Sequence, residues 1–374
     1  MIDRATHSTL VSVTIPMVNP TSNPTPVPAL RPGRRPATVD VLVTGATGLV
    51  GNNVVRMLVS RGDSVRAFVR SRQAAERCLA GLPVETIEGA LGDSERVQAA
   101  VDGARIVIHA AAMVHCGWRH KDEMIAANVD GTRIVAAAAR RAGARFIHVS
   151  SVSAIGLRAD GVPADEGTPP GGMPECPYVV TKRGAEGAVH DEVARGLDAV
   201  IVNPAYMLGP WDWKPSSGRM LLEVGAGKGL YAPPGGNDFV DVRDVAGGIL
   251  AAVTHGRLGR RYILGGHSMS YLDAWRVFAR IAGRMQPLGT APRGVVRMAG
   301  FVGDLVSLFT ARERPVNSAA AQMSMLSHNF SYRRAQAELG YAFRSLDETV
   351  ADAWEWFVTR GYAKAVRERE VMTR

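Results

Sequence analysis

The strongest constraint on the fold is a glycine-rich turn, Thr44–Gly51, which follows a short apolar strand and opens a helix. Gly45 permits the tight turn, Gly48 lets the backbone come close to a pyrophosphate, and Gly51 lets the helix pack closely on the sheet. The N-terminus of that helix offers free N–H groups and a positive dipole to phosphates. The turn therefore predicts a strand–turn–helix unit that binds a dinucleotide.

Short apolar strands and helices alternate after residue 38. We predict strands at 39–44, 64–69, 84–87, 105–109, 145–149 and 199–202, and helices at 52–60, near 94–101, at 123–142 and at 178–195. Alternation of this kind indicates a parallel sheet with helices on both faces. The predicted fold class is α/β, a Rossmann-type doubly wound parallel sheet with a smaller C-terminal substrate-binding lobe.

Changes in composition divide the chain into four predicted parts. Residues 1–37 are a tail punctuated by prolines, for which we expect disorder, although a start codon placed too far upstream would also explain it. An NAD(P)-binding Rossmann domain is predicted at 38–204. The substrate-binding lobe follows at 205–362, with strands and helices that return to the Rossmann core. Residues 363–374 form a charged C-terminal tail.

One predicted helix has two interpretations. Pro292–Ala311 is mostly apolar and is interrupted by Arg297 and Asp304. It is either a core or lid helix, or a face for a membrane surface or a partner. No run in the chain reaches the roughly 18 apolar residues that a membrane span needs, so we expect no integral membrane segment.

The net charge of +9 is concentrated near the termini. Residues 1–38 carry four arginines against one aspartate, and residues 360–374 carry five cations against two glutamates. Because no basic stripe alternates with aromatic residues, we predict no nucleic-acid partner. The cysteines Cys78, Cys116 and Cys176 are scattered, which argues against a disulfide framework or structural zinc and favours a reducing, cytoplasmic location.

Arg70, Ser71 and Arg72 follow the second predicted strand and bear on which dinucleotide binds. An acidic residue usually accepts from a free ribose 2′-OH at this place, whereas guanidiniums suit a 2′-phosphate. We predict NADP as the preferred cofactor and NAD as the alternative. Two arginines solvated at a loop would be the plain structural explanation.

Tyr178 and Lys182 are four residues apart and share one face of a predicted helix. A free tyrosine has a pKa near ~10 and is a poor acid or base at neutral pH. A lysine ammonium beside it favours the phenolate and lowers that pKa. Such a pair also arises by chance on surfaces. Together with Ser151, which can hold a substrate oxygen, and with the glycine turn, it predicts a proton-transfer site beside a nicotinamide.

With these residues the chain resembles the extended (atypical) short-chain dehydrogenase/reductase family, of the NAD-dependent epimerase/dehydratase type, over roughly 39–362. The family's motifs occur in order as TGATGLVG at 44–51, HAAA at 109–112, NVDGT at 128–132, VSS at 149–151 with Gly156, YVVTK at 178–182, DVRDVA at 241–246 and the stretch 332–341. Arg70 and Asn203-Pro204 make the resemblance closer to the dihydroflavonol-reductase-like branch, which includes hopanoid-associated sugar epimerase homologues.

The resemblance implies a role for each matched residue. Tyr178 is the acid that protonates a carbonyl oxygen, or the base in the reverse direction. Lys182 lowers its pKa and binds the nicotinamide ribose, Ser151 polarises the substrate oxygen, and Asn128 supports a proton relay. The implied cofactor contacts are Gly45, Thr47, Gly48, Leu49, Val50, Gly51, Arg70, Ser71, Arg72, Leu91, Ala110, Ala111, Ala112, Tyr178, Lys182, Asn203, Pro204 and Ala205.

The chain departs from the family after its third predicted strand. The family usually has an Asp after the glycine there, in contact with adenine, but here Gly89 is followed by Ala90. Adenine contacts would then rest on the backbone of Leu91.

The resemblance also suggests a substrate pocket. Met113, His115 and Trp118 follow HAAA, a segment that faces the substrate in this fold, although plain surface is the alternative. In the Gly-, Pro- and Trp-rich stretch after residue 208, a second group forms either a lid over an anionic or polar substrate group or ordinary packing of the lobe. This second group consists of Trp211, Lys214 and Arg219.

His115, Cys116 and His120 lie close together in the sequence, but a metal site needs three or four convergent ligands. We predict no metal.

The predicted function is an NAD(P)H-dependent oxidoreductase, either a carbonyl reductase or the reverse alcohol dehydrogenase. A nucleotide-sugar epimerase or dehydratase with a retained cofactor is the alternative. Against it, Val152 and Ser153 follow Ser151, where dehydratases usually place acids. A non-catalytic NAD(P)-binding sensor is a third hypothesis, but such proteins often lose the Tyr or Lys that this chain keeps as Tyr178 and Lys182. The expected partner is a small carbonyl, alcohol or sugar-derived molecule, and flanking helices in this fold often pair into a homodimer.

Overall fold

The computed structural model describes residues 40–310 and 313–364. The predicted tail 1–37 and most of the predicted tail 363–374 lie outside them. In the described residues the strands are β1 (Val41–Thr44), β2 (Val65–Val69), β3 (Val84–Glu88), β4 (Ile106–His109), β5 (Arg145–Val149), β6 (Ala199–Pro204), β7 (Tyr206–Leu208), β8 (Tyr231–Ala232), β9 (Gly236–Asp241), β10 (Arg261–Leu264), β11 (His267–Ser270) and β12 (Gly289–Thr290).

The α-helices of the same residues cover both faces of the main sheet and build the C-terminal part. They are α1 (Leu49–Ser60), α2 (Arg72–Cys78), α3 (Ser94–Val101), α4 (Lys121–Met124), α5 (Gly131–Ala142), α6 (Pro177–Ala194), α7 (Gly218–Gly225), α8 (Val242–His255), α9 (Tyr271–Ile281), α10 (Arg293–Leu308), α11 (Ser318–Ser324), α12 (Arg333–Leu339) and α13 (Leu346–Thr359). A π-helical turn, Ile125–Asp130, joins α4 to α5, and a 3₁₀ turn, Val152–Ala154, follows β5.

Seven strands form one parallel sheet in the order β10-β6-β5-β4-β1-β2-β3. Val43 of β1 pairs with Ala67 of β2 on one side and with Ile108 of β4 on the other. The chain order therefore reverses between β1 and β4, and ligands of such sheets bind outside the carboxyl ends of the strands at this reversal. The predicted Rossmann-type doubly wound fold is confirmed.

The central strands of this sheet are buried along their length because helices cover both faces. Every residue of β1 and β4 is buried. The core on one face joins β-strand side chains such as Leu42, Val107 and Phe146 to Val135 and Ala139 of α5. This core holds the carboxyl ends of neighbouring strands in fixed register, and those ends carry most of the predicted site.

The C-terminal part has smaller sheets and a core of its own. β9 lies between β7 and the antiparallel β11, while β8 pairs with β12. Phe239 of β9 packs edge to face on Phe278 of α9, in a cluster that also contains Trp354 and Phe357 of α13. β10, although it lies after residue 205, pairs with β6 of the main sheet. The predicted domain boundary at 204/205 stays a prediction.

The structure corrects several predicted element boundaries. α1 begins at Leu49, not at residue 52, because the helix opens directly behind Gly48. α2 was not predicted; Ser71 caps it by accepting from Ala74 N at 3.2 Å. The helix predicted at 123–142 is present, but it is not α-helical throughout, because Ile125–Asp130 has π-helical geometry. β6 continues past residue 202 since Asn203, although polar, is buried and hydrogen-bonded.

Candidate active site

The glycine turn fits the pyrophosphate of a dinucleotide. Gly45 has a φ of +73°, and a Cβ placed there would lie 2.6 Å from Ala111 N. A Cβ on Gly51 would lie 2.2 Å from Gly45 O, so the helix packs on the turn as expected. Among the described residues no side chain caps α1 behind Gly48, and its first turn holds no acid. The N–H groups of that turn, including Leu49 and Val50, are therefore available to a phosphate.

The end of β4 is tied to the same turn. Ala110 N donates to Thr44 O at 3.2 Å, and Ala111 N donates to Thr44 Oγ1 at 3.3 Å. Thr47 in the glycine turn and Ala112, three residues after the end of β4, are both half-buried. These contacts bring the predicted cofactor residues of β1 and β4 together at the point where the strand order reverses.

The arginines that follow β2 are exposed. Within the described part of the chain, neither the Arg70 nor the Arg72 guanidinium has a hydrogen-bond or ion-pair partner, whereas the backbone N–H of Arg72 donates to Glu88 Oε1 at 3.3 Å. Ser71 Oγ already caps α2. Leu91, which is predicted to contact adenine, packs on Gly131, where a Cβ would lie 2.9 Å from Leu91 Cβ. Contact of the arginines with a 2′-phosphate and of Leu91 with adenine stays a prediction.

Ser151 and Tyr178 meet at the carboxyl end of β5. Ser151 is buried at the start of the 3₁₀ turn, where its Oγ accepts from Ser153 N at 3.1 Å. Tyr178 is half-buried in the first turn of α6. Withdrawal from solvent raises the pKa of Tyr178 to about 12, and a side-chain hydrogen bond with Ser151 opposes that rise. The phenol is therefore protonated at neutral pH and is held against the serine predicted to bind the substrate oxygen.

Lys182 lies one turn after Tyr178 and is buried. Its Nζ donates to Val149 O at 3.3 Å. Burial lowers the pKa of Lys182 to about 8, while the Glu186 carboxylate raises it. The expected lowering of the Tyr178 pKa by this ammonium stays a prediction.

Asn128 occupies the π turn and is almost fully buried. Its Oδ1 accepts from Met113 N at 2.7 Å, and its Nδ2 donates to Met113 O at 2.9 Å and to Thr181 Oγ1 at 3.1 Å. Its backbone carbonyl accepts from Thr132 Oγ1 at 2.6 Å. The side chain thus joins the predicted pocket segment to the helix that carries Tyr178 and Lys182. Local π turns of this kind recur at functional sites.

Glu186 is a site residue that the sequence did not reveal. Its Oε1 accepts from Ser150 Oγ at 2.5 Å and from Asn203 Nδ2 at 2.6 Å, and Arg261 lies 3.5 Å from its other oxygen. Asn203 Nδ2 also donates to Ser151 O at 2.9 Å. The i, i+4, i+8 spacing of Tyr178, Lys182 and Glu186 was the available signal.

The end of β6 is fixed to its neighbour. Pro204 is buried, and Ala205 N donates to Leu264 O at 3.1 Å, which anchors the two residues predicted to contact the cofactor after Asn203. Cofactor contact by Pro204 and Ala205 stays a prediction.

Two of the predicted pocket residues after HAAA, His115 and Trp118, are held by Glu313. Its carboxylate accepts from His115 Nε2 at 2.6 Å, Trp118 N at 2.9 Å and Arg119 N at 3.1 Å. Trp118 Nε1 donates to Ser318 Oγ at 2.8 Å. The segment is therefore fastened to the chain between α10 and α11. Among the described residues no three His, Cys, Asp or Glu side chains are placed to hold a metal ion.

The second predicted pocket group lies against α1 and α13. The Arg56 guanidinium sits 3.3 Å over the Trp211 ring, and Trp211 packs against Trp213 and Trp356. For Trp211 these contacts agree with ordinary packing of the C-terminal lobe, which was the alternative to a lid. Lys214 and Arg219 are exposed, and a lid role for this group stays a prediction.

A cavity of about 620 Å³ lies beside the segment that leads into α6. Met173 and Pro174, four to five residues before Tyr178, form one side of it. Arg293 and Arg297 of α10 and Met325 after α11 form others. Apolar side chains share the wall of this groove with the two arginines, Ser318 and Gln322, and Ser151, Tyr178 and Lys182 are not part of its lining.

The model of the NAD dependent epimerase/dehydratase family matches residues 41–265, which include the glycine turn, Ser151, Tyr178 and Lys182. The chain belongs to this family. It is an NAD(P)-dependent enzyme of the extended short-chain dehydrogenase/reductase type, as the resemblance implied.

Relatives similar over most of their length carry mainly reductase names. "Sterol demethylase protein B" of Methylococcus capsulatus is 36% identical, with 86% of this chain and 98% of the relative covered. A protein of Synechocystis named for dihydroflavonol 4-reductase is 34% identical, with 86% and 95% covered. The 4-hydroxy-2-methyl-3-oxo-4-farnesyl-3,4-dihydroquinoline-1-oxide ketoreductase of Stigmatella aurantiaca is 31% identical, with 83% and 94% covered.

Solved structures share the fold. The crystal structure of gox2253 matches with a TM-score of 0.75 at 36% identity, covering 87% of this chain and 99% of that one. A nucleoside-diphosphate-sugar epimerase from Pseudomonas aeruginosa matches with a TM-score of 0.72 at 26% identity, covering 87% and 100%. Both reductase and epimerase chemistry therefore occur among proteins similar to this one.

Proposed function

We propose that this enzyme reduces a ketone on a large apolar molecule with NADPH. The observation that carries the proposal is the placement of Tyr178 one helical turn before the buried Lys182 and within reach of Ser151. Burial raises the pKa of the phenol, and the Ser151 side chain lowers it against that effect. A phenol that keeps its proton at neutral pH is suited to donate it to an oxygen that is gaining negative charge. NADPH, when bound, supplies the hydride.

The chain's own residues handle the oxygen and the proton. Ser151 Oγ donates a hydrogen bond to the carbonyl oxygen and orients it toward the phenol. Tyr178 transfers its proton to that oxygen as the alcohol forms. Lys182, held by Val149 O, provides positive charge that stabilises the phenolate left behind.

The preference for NADPH rests on the arginines that follow β2. Arg70 and Arg72 are exposed and lack ion-pair partners within the described part of the chain, so both guanidiniums are free to pair with a 2′-phosphate. Glu88, which accepts from the backbone N–H of Arg72, is the carboxylate that could instead accept a hydrogen bond from a free ribose 2′-OH. Two cations against one carboxylate favour the phosphate.

The substrate class is argued from the groove and from the names of relatives. Methionine, proline and leucine side chains, among them Met173, Pro174 and Leu326, line much of the groove. The relatives are named for a sterol and for a farnesyl-bearing ketone, both largely apolar. A nucleotide-sugar epimerase is the second candidate, favoured by the sugar-epimerase structure and by the cationic rim of Arg293 and Arg297.

The deciding experiment follows absorbance at 340 nm while the purified protein is incubated with NADPH and either apolar cyclic and long-chain ketones or nucleotide sugars. We expect stoichiometric NADPH oxidation with at least one apolar ketone and none with the sugars. Interconversion of a nucleotide sugar without net cofactor oxidation would replace the proposal with the epimerase assignment.

A further inference from the structure

We propose that α10 docks this protein on the surface of an anionic lipid bilayer. The inference goes beyond the proposed reaction and does not depend on it. α10 and the residue after it carry a stripe of large apolar side chains that face solvent. This α10 stripe comprises Val295 (60% exposed), Met298 (62%), Phe301 (61%), Val302 (47%), Leu305 (46%), Leu308 (73%) and Phe309 (84%).

The opposite face of α10 is the one that packs on the protein. It is built from small residues, with Gly300, Gly303 and Ser307 buried. A Cβ on Gly300 would lie 2.7 Å from Ala321 Cβ, and a Cβ on Gly303 would lie 1.8 Å from Val316 O. Helices on a soluble core normally bury the large apolar side chains and expose polar ones. α10 has the reverse arrangement, and the tight glycine contacts prevent it from turning its stripe inward.

The charges around the stripe have one sign. The acid within α10, Asp304, faces the protein. Its Oδ1 accepts from Ser318 N at 3.1 Å on the packed side of the helix. Arg297 is exposed near the N-terminal end, and Arg314 is exposed beyond the C-terminal end. Arg293 is also exposed, but its guanidinium donates to Met325 O at 2.6 Å on the packed side. An apolar face bordered by arginines is the pattern of helices that lie in the interface of anionic membranes.

Charge complementarity also selects the bilayer over a second copy of the chain. A two-fold dimer through α10 would bring the arginine rims of both copies toward the same interface. Asp304 is engaged on the packed side and cannot face them. A membrane surface supplies both the apolar interior for the stripe and phosphates for the arginines. No helix in the described part of the chain is long and apolar enough to cross a membrane, so the attachment is peripheral.

The stripe belongs to the same helix that forms one side of the groove at Met173 and Pro174. Arg293 and Arg297 border that groove, and Glu313, just after α10, holds the His115–Arg119 segment. A bilayer against α10 would therefore lie next to the groove, where an apolar molecule can pass from lipid to protein without crossing water.

The test is co-sedimentation of the full-length protein with vesicles of phosphatidylcholine containing 30% phosphatidylglycerol. We expect binding that Phe301→Ser/Leu305→Ser weakens at least about tenfold, since two large apolar contacts with the acyl region are lost. Arg297→Glu should weaken binding by about tenfold on these vesicles and much less on pure phosphatidylcholine. Leu258→Ser, at a residue 60% exposed outside α10, is the matched control and should bind like the parent.

Several results would overturn the proposal. One is equal vesicle binding by the parent and the double variant, which would assign attachment to the basic tails. Another is no binding by the parent. A third is a dimer in light scattering that the double variant dissociates, which would assign the stripe to a second copy. Vesicle binding needs no turnover, so a failure here leaves the proposed reaction untouched, and the reverse also holds.

Discussion

Lys182 and Glu186 lie one turn apart on α6, and both side chains are buried. Burial lowers the pKa of the lysine to about 8, and the glutamate carboxylate opposes that effect. The same carboxylate accepts from Ser150 and Asn203, and Asn203 holds the carbonyl of Ser151. Glu186 thus ties the ends of β5 and β6, which carry Ser150 and Asn203, to the helix that carries Lys182.

Glu186→Gln should shift the alkaline limb of the pH profile of kcat/KM to lower pH. Without the carboxylate, the pKa of Lys182 falls further below about 8, so the ammonium is lost earlier as pH rises. We expect a shift on the order of one pH unit, measured with NADPH and a reducible ketone. Glu192→Gln, on the same helix and paired with Arg140, is the control. A parent-like profile in Glu186→Gln, or an equal shift in Glu192→Gln, would contradict the positioning role.

Tyr178→Phe should lower kcat by about 10²–10⁴-fold, because the acid that protonates the oxygen is removed. The Kd of NADPH, measured by fluorescence titration, should change less than about threefold because the ring and its packing remain. Tyr231→Phe, at an exposed tyrosine, should match the parent in both measurements. Retained turnover in Tyr178→Phe would remove the phenol from the proposed mechanism.

Arg70→Ala/Arg72→Ala should raise the Kd of NADPH by roughly tenfold to a hundredfold, as two charge-assisted contacts to the 2′-phosphate are lost. The Kd of NADH should stay within about threefold of the parent value because that cofactor lacks the phosphate. Isothermal titration gives both constants without turnover. Arg276→Ala, on α9 beside Asp273, controls for the general loss of positive charge. An equal loss of both cofactors would show that the arginines act only structurally.

The sequence predicted the Rossmann sheet and the proton-transfer residues because both rest on local patterns. A strand followed by a glycine turn is contiguous, and the Tyr178–Lys182 spacing is a single helical turn. Glu186 was missed because its role depends on Ser150 and Asn203, which the β5–β6 pairing brings to it. The π turn at Asn128 was not predicted. For α10 the sequence left two interpretations open, a core or lid helix and a face for a membrane surface or a partner. Hydrophobicity alone does not say which face of an apolar helix packs, and the glycine contacts with Val316 and Ala321 decide it.

The free energy of unfolding should decrease at acidic pH because of two stacked histidine rings in the main sheet. His109 and His148 lie with ring centroids 5.6 Å apart, and both are buried. Burial lowers the pKa of His109 to about 3 and that of His148 well below its usual 6.5. The unfolded chain takes up these protons below about pH 6.5 while the folded chain does not, so stability is present above that pH and is lost as pH falls.

His148→Phe tests this assignment because neither nitrogen of the His148 ring has a partner in the described residues, so no hydrogen bond is lost. His109 would be a poorer choice, since it is hydrogen-bonded to Thr44 and Thr132. Each ring lowers the free energy of unfolding by up to about 1.4 kcal/mol for each pH unit below 6.5. Between pH 6.5 and 5.5 the free energy of unfolding should therefore decrease less in the variant than in the parent. Urea unfolding at the two pH values measures the difference. An identical loss in parent and variant would mean that the His148 ring does not stay neutral in the folded protein.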